Sequence, residues 1–339
     1  MRGLLLVCLS LVVGSTASWS AEPSKRQTFR AQDTLEIGDE LQPDARESLA
    51  KLAWRPTTFD VSLEWNQDPL DPAIVRFPSP HPTGSPVNDL VALEWYSAKN
   101  DANQVIDAPA IIVVHESGSK MEVGRIIAKA LHAQRLHAFM IQLPTYGLRR
   151  PKDFVPRMEL VDTVMKQGIA DARRARDAVA VLPHVDQRSI SIQGTSLGGF
   201  VAATAAGLDH GFATVHIMVA GGNLYELITN GNREAGKLRE MLAKAGFTGD
   251  KLRDLLAPIE PIRLAHRYDK KNTWLYAATK DQVVPPQHSE ALRIAGGLAP
   301  DHQLMLLADH YTGIIYVPLV VKEITGKICD ELATRETTK

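Results

Sequence analysis

Hydrophobic and polar positions divide the chain into segments with different periods. A short apolar run, Leu4 to Val13, follows Arg2 and gives way to small residues through Ser20. A polar stretch then extends to about Arg46 and reads as surface chain, either mobile or wrapped over the domain. Phe59–Trp65, Ala73–Pro78 and Leu90–Ser97 are short, rich in β-branched or aromatic residues and bounded by turn formers, which predicts three strands. Between the last two lies a proline- and glycine-rich loop, residues 78–86.

From Ala108 the rhythm changes to strand and helix in alternation. Ala110–Val114 is a continuous apolar run, the mark of a strand buried on both faces. Val123, Ile126, Ile127, Ala130 and Leu131 recur at helical spacing. Strands are expected at Ala138–Leu143, Ser189–Gln193, Thr214–Val219, Trp274–Ala278 and Leu304–Leu307. Helices are expected from Val161 to Leu182, Gly198 to Leu208, Pro286 to Ile294 and Ile314 to Ala333. This alternation predicts an α/β domain over residues 55–335, a mostly parallel central sheet with helices on both faces. Residues 223–271 break the rhythm with charged helical segments, Arg233–Ala245 and Asp250–Ala257. They read either as a small cap over the sheet's C-terminal edge or as a peripheral excursion.

Composition sharpens this picture in three places. The layout of residues 1–20 is that of a secretory signal, with a cut after Ala17 or Ser20, and its apolar run is far below the roughly 18 residues a membrane span needs. Secretion or a periplasmic location is therefore expected, with residues 21–54 as an N-terminal extension. Removing the signal leaves one cysteine, Cys329, so no intramolecular disulfide can form; its helical context predicts a small buried hydrophobe. Across 339 residues the formal net charge is −1, which gives no electrostatic reason to expect nucleic acid as a partner.

The most informative segment is Gly194-Thr195-Ser196-Leu197-Gly198-Gly199, between a predicted strand and a small-residue helix. A strand-to-helix turn this sharp strains the serine backbone and brings the flanking glycines together, projecting the hydroxyl at the sheet edge. A serine needs a base, and histidine, with an unperturbed pKa near 6.5, suits the task. Of the eleven histidines, His310 lies in the loop after the last predicted strand, at the edge where Ser196 should open. Asp281, after the preceding strand, gives the order Ser, Asp, His and would orient the imidazole. Asp309 competes, but neighbouring side chains on an extended segment point to opposite sides. For the oxyanion, the expected donors are the amides of Leu197 and of Ser117, the latter in the loop after Ile111–Val114. Glu116 beside it has two readings: a carboxylate acting on the resting Ser196, or a structural one bonding loop amides.

These motifs, in this order and context, resemble the α/β-hydrolase superfamily over roughly residues 55–335. The strand ending in His115-Glu116 with Gly118 after it, and Val185-Asp186-Gln187-Arg188 before the serine strand, resemble the dienelactone-hydrolase-like branch. Dienelactone hydrolases proper carry cysteine where this chain has Ser196, and bulky residues where it has Ser117-Gly118. The resemblance therefore implies a serine hydrolase of carboxylesterase type, acting on a small-molecule, carbohydrate or peptide ester without metal or cofactor. Peptidase, thioesterase and lactonase chemistry remain open on the same triad, as does a non-catalytic binding protein on the same scaffold.

Overall fold

The computed structural model describes residues 26–68 and 71–337; the expected secretory signal lies outside them. One ten-stranded sheet forms the centre. Its strands are β1 (Arg26–Gln32), β2 (Thr58–Glu64), β3 (Ala73–Pro78), β4 (Leu90–Tyr96), β5 (Ala108–Val114), β6 (His137–Gln142), β7 (Val185–Thr195), β8 (Val215–Met218), β9 (Thr273–Ala278) and β10 (Gln303–Leu306). Their order is β1-β2-β3-β4-β6-β5-β7-β8-β9-β10. β1 to β4 form an antiparallel meander that joins β6, and β5 to β10 pair in parallel. Only β2 and β4 run against the common direction.

The chain turns back at β5, which has β6 on one side and β7 on the other. At such a reversal the loops leaving the two neighbouring strands diverge to opposite faces and leave a crevice at the C-terminal edge. The loop after β5 and the turn after β7 therefore stand side by side. The expected strands all appear, and β5 is buried on both faces. Ala110, Ile112 and Val114 join a core with helices Val161–Ala180 and Leu197–Ala206, while Ile111 and Val113 join one with Glu122–His132 and Val317–Thr337.

One expectation is corrected, and of the two readings of the polar stretch the wrapped one is found. Cys329 is exposed, because Ile324 and Ile328 take the buried stripe of the last helix. The polar stretch before Arg46 is also more structured than its composition suggests. β1 pairs with β2 along its whole length, and Pro43–Leu52 is a helix. Between them the chain is strapped down by charge. Asp33 accepts from Arg174 Nε at 2.9 Å and from the Thr57 amide at 2.9 Å. Thr34 donates its amide and hydroxyl to Asp177 at 2.8 and 2.6 Å. Arg173 bridges Asp177 and Asp209, and Arg267 donates to the Ile37 carbonyl and to Glu40. The partners lie far away in sequence, so no local pattern could reveal them. They also explain why helix Val161–Ala180 buries Arg173, Arg174 and Asp177: the strap covers its outer face.

A buried charge left without its partner is expensive. Asp33→Ala strands Arg174, whose side chain is only 5% exposed, and should cost about 3–5 kcal/mol in denaturant unfolding; a loss below about 1 kcal/mol would show that the strap is not anchored there. Glu40 supplies a pH signature. Burial alone would raise its carboxyl, but the Gln42 amide, Arg267 and His266 outweigh this and hold it at about 2, below the ordinary 4.5. Its contribution is complete above the ordinary value and fades as pH falls through the folded one. Melting temperatures of wild type and Glu40→Gln should differ at neutral pH and converge between pH 4.5 and about 2; a gap independent of pH would contradict this.

Candidate active site

The turn after β7 is shaped by its glycines. Ser196 has φ 53° and ψ −116°, outside the regions L-residues prefer. Its amide donates to the Met218 carbonyl of β8 at 2.9 Å, and its carbonyl accepts from Gly199 and Phe200 as the next helix begins. A Cβ at Gly194 would lie 2.0 Å from the Gly198 carbonyl oxygen; one at Gly198 would lie 2.1 Å from the Val114 carbonyl oxygen. Both contacts are with backbone, which cannot yield as a flexible side chain can, so any larger residue must displace the turn. The same contacts bring the end of β5 and its loop against the serine.

The hydroxyl that results meets the other two predicted side chains. Ser196 Oγ and His310 Nε2 lie 3.0 Å apart, and His310 Nδ1 lies 2.7 Å from Asp281 Oδ2. The Asp281 side chain is fully buried, and its second oxygen accepts the amides of Val283 and Val284 at 2.8 and 2.9 Å. The carboxylate is therefore held from both sides. An Nδ1–H donated to it leaves Nε2 as the acceptor facing the serine, the tautomer a base requires. Asp309 is turned away: its carboxylate accepts the amides of Thr312 and Tyr311, which hold it below the usual carboxylate range.

Other histidines are occupied by the fold. His115 accepts the Leu143 amide at Nε2 and donates from Nδ1 to the Glu116 carbonyl; burial depresses it to about 4. His137 joins Trp95, Ala98 and two carbonyls, and burial brings it likewise to about 4. Burial takes His216 to about 3. All three are neutral side chains packed into the sheet.

The Ser117 and Leu197 amides have no protein acceptor among the described residues. Glu116 is committed to the neighbouring helix, accepting the Val123 and Gly124 amides at 3.2 and 3.0 Å near the start of Glu122–His132. This is the structural arrangement of the two readings. Sequence reasoning missed Tyr146, whose hydroxyl donates to the Ser117 carbonyl at 3.1 Å, and the pair Glu234–Tyr311. Tyr311 follows His310 directly. Its hydroxyl is pushed up to about 12 by burial and by its bond to Glu234, whose carboxyl is lowered by that bond. The 223–271 segment, helices Leu224–Asn230, Arg233–Lys244, Gly249–Leu256 and Ile262–Ala265, thus reaches the site through the start of its second helix. Its leucines Leu227, Leu242, Leu252 and Leu256 join the main core instead.

The sheet and the helices around it match known structures. The chain has the α/β-hydrolase fold. No family model and no curated protein matches it. Among solved structures it is similar to an acetyl xylan esterase from Paenibacillus sp. R4, with a TM-score of 0.61 and 16% identity over 86% of this chain and 96% of that one. It is also similar to acetyl xylan esterase 1 from Thermoanaerobacterium sp. JW/SL YS485, with a TM-score of 0.59 and 12% identity over 84% and 92%. A puromycin-hydrolyzing peptidase from Mycobacterium tuberculosis gives 0.53 at 14% identity, covering 81% of this chain and 46% of that one. Among the described residues of this α/β-hydrolase-fold chain, no helix is long and apolar enough to cross a membrane.

A carboxylate at a helix N-terminus adds stability through the orphan amides and the helix dipole. Glu116→Ala should lower stability by about 1 kcal/mol, read as a shift of the denaturation midpoint. An unchanged midpoint would mean the two amides are equally well served by water.

Proposed function

We propose that the chain is a serine hydrolase that cleaves a carboxylic ester through an acyl-enzyme. The observation that carries this reading is the unbroken relay from Asp281 through His310 to Ser196, at 2.7 and 3.0 Å. Within hydrogen-bond reach of the serine, a neutral imidazole can take the hydroxyl proton as Ser196 Oγ attacks the carbonyl carbon. Asp281, already bonded to Nδ1, stabilises the imidazolium that forms. The oxyanion is received by the Leu197 and Ser117 amides, which have no protein acceptor among the described residues. Collapse of the tetrahedral species breaks the ester C–O bond, and His310 returns its proton to the leaving alcohol. Water then repeats the sequence on the acyl-enzyme and frees the acid and the serine.

An ester is preferred to an amide because the two structures with the highest TM-scores cited above are described as acetyl xylan esterases. The same proposal includes export directed by residues 1–20 and activity outside the cytoplasm.

A fluorophosphonate probe should label the protein at Ser196, and Ser196→Ala should lose both labelling and turnover of short p-nitrophenyl esters. Labelling mapped to another residue, or well-folded protein that neither labels nor turns over, would overturn the assignment.

A further inference from the structure

A cavity of about 370 Å³ opens beside His310. Arg233, Lys280, Gln282, Leu307, Asp309 and His310 are among its walls. Its acidic neighbours already have bonded partners, Asp309 through one of its two oxygens. Asp309 is bonded by the Tyr311 and Thr312 amides, Asp281 by His310 and two amides, and Glu234 by the Tyr311 hydroxyl. Its two cations have no bonded partner: neither Arg233 nor Lys280 forms an ion pair or a side-chain hydrogen bond among the described residues, although Arg233 is near enough to Asp309 to help lower its carboxyl. Arg233 also has φ +52°, an unusual conformation for a residue with a side chain, at the first position of its helix. The walls thus set two cations against the single carboxylate of Asp309, and a guanidinium with an ammonium suits a further carboxylate or another oxyanion.

Resting on the esterase reading above, we propose that the substrate carries an anionic group on its alcohol side, held by Arg233 and Lys280. The side follows from the placement. His310, the residue that gives its proton to the leaving oxygen, is one wall of the cavity, so a group bound there is assigned to the departing alcohol. The two cations then act as specificity residues. They neither move the proton nor contact the carbonyl. Lys280 is set by the sheet, its amide donating to the Ala308 carbonyl at 2.9 Å. Arg233 is supplied by the inserted 223–271 segment, which assigns that segment a part in recognising the substrate.

The test uses a matched pair of acetate esters, 4-acetoxybenzoate with an anionic leaving group and 4-acetoxybenzamide with a neutral one. The ratio of their kcat/KM values is measured in wild type and in the Arg233→Gln, Lys280→Gln double variant. Taking the ratio within one protein cancels any change in the active fraction, and comparing the two proteins cancels the intrinsic reactivities. The ratio should fall by about tenfold or more in the variant, the scale of one or two charge-assisted bonds. In wild type it should also fall with added salt. If both esters are hydrolysed and the ratio is the same in the two proteins, the inference is overturned while the esterase reading stands. If neither ester is hydrolysed and Ser196 does not label with fluorophosphonate, the esterase reading fails and this one with it.

Discussion

The close approach of backbone to backbone at the turn after β7 is the constraint on which the rest of the site depends. Gly194, Gly198 and the end of β5 occupy space that no Cβ can share. Ser196 is pinned at a positive φ, between the Met218 carbonyl that holds its amide and the helix that begins at its carbonyl. The cost of that strain is borne by β7 and β8, whose parallel pairing leads directly into the turn. Only with the hydroxyl projected this way can an imidazole from the far side of the sheet reach it.

That imidazole arrives by a different route. His310 follows β10, the edge strand, and Asp281 follows β9 beside it. Their loops are joined by the Lys280 amide bonding to the Ala308 carbonyl, which ties Asp281 and His310 together through the backbone as well as through their side chains. The Val283 and Val284 amides give the carboxylate its remaining partners. Nothing in this half of the relay is strained. The site joins one stressed element with one that is fully satisfied, and the parallel strands between them set the distance.

A second network holds the N-terminal segment. The strap from Asp33 to Glu40 and helix Val161–Ala180 share buried arginines and aspartates whose partners are all charged or hydrogen-bonded. An ionic cluster of this kind contributes little net stability compared with an apolar replacement, but its geometry admits one arrangement of the chain. It fixes the N-terminal segment over the helix that packs beneath the serine turn. Residues 223–271 put their leucines into the main core and their Arg233–Glu234 corner at the site.

Much of this was legible in the sequence because period and punctuation are local properties. The apolar run of β5, the alternation of strands with helices, and glycines two before and two after Ser196 follow from backbone geometry that neighbouring residues determine. The order of serine, aspartate and histidine along the chain, each after its own strand, was enough to bring all three to one sheet edge. β1 was not legible, because an exposed edge strand in a polar segment carries no apolar alternation. The buried charges of the strap read as solvated surface, since only a distant partner makes them core. Cys329 was misplaced because a helix rich in small and apolar residues leaves its buried face ambiguous until a neighbour covers it. The roles of Tyr146, Arg233 and Glu234 depend on contacts between elements far apart in the chain. Local chemistry thus determined which elements form and which side chains stand at the sheet's edge. Tertiary packing decided which charges are buried, which amides are left free, and what surrounds the serine.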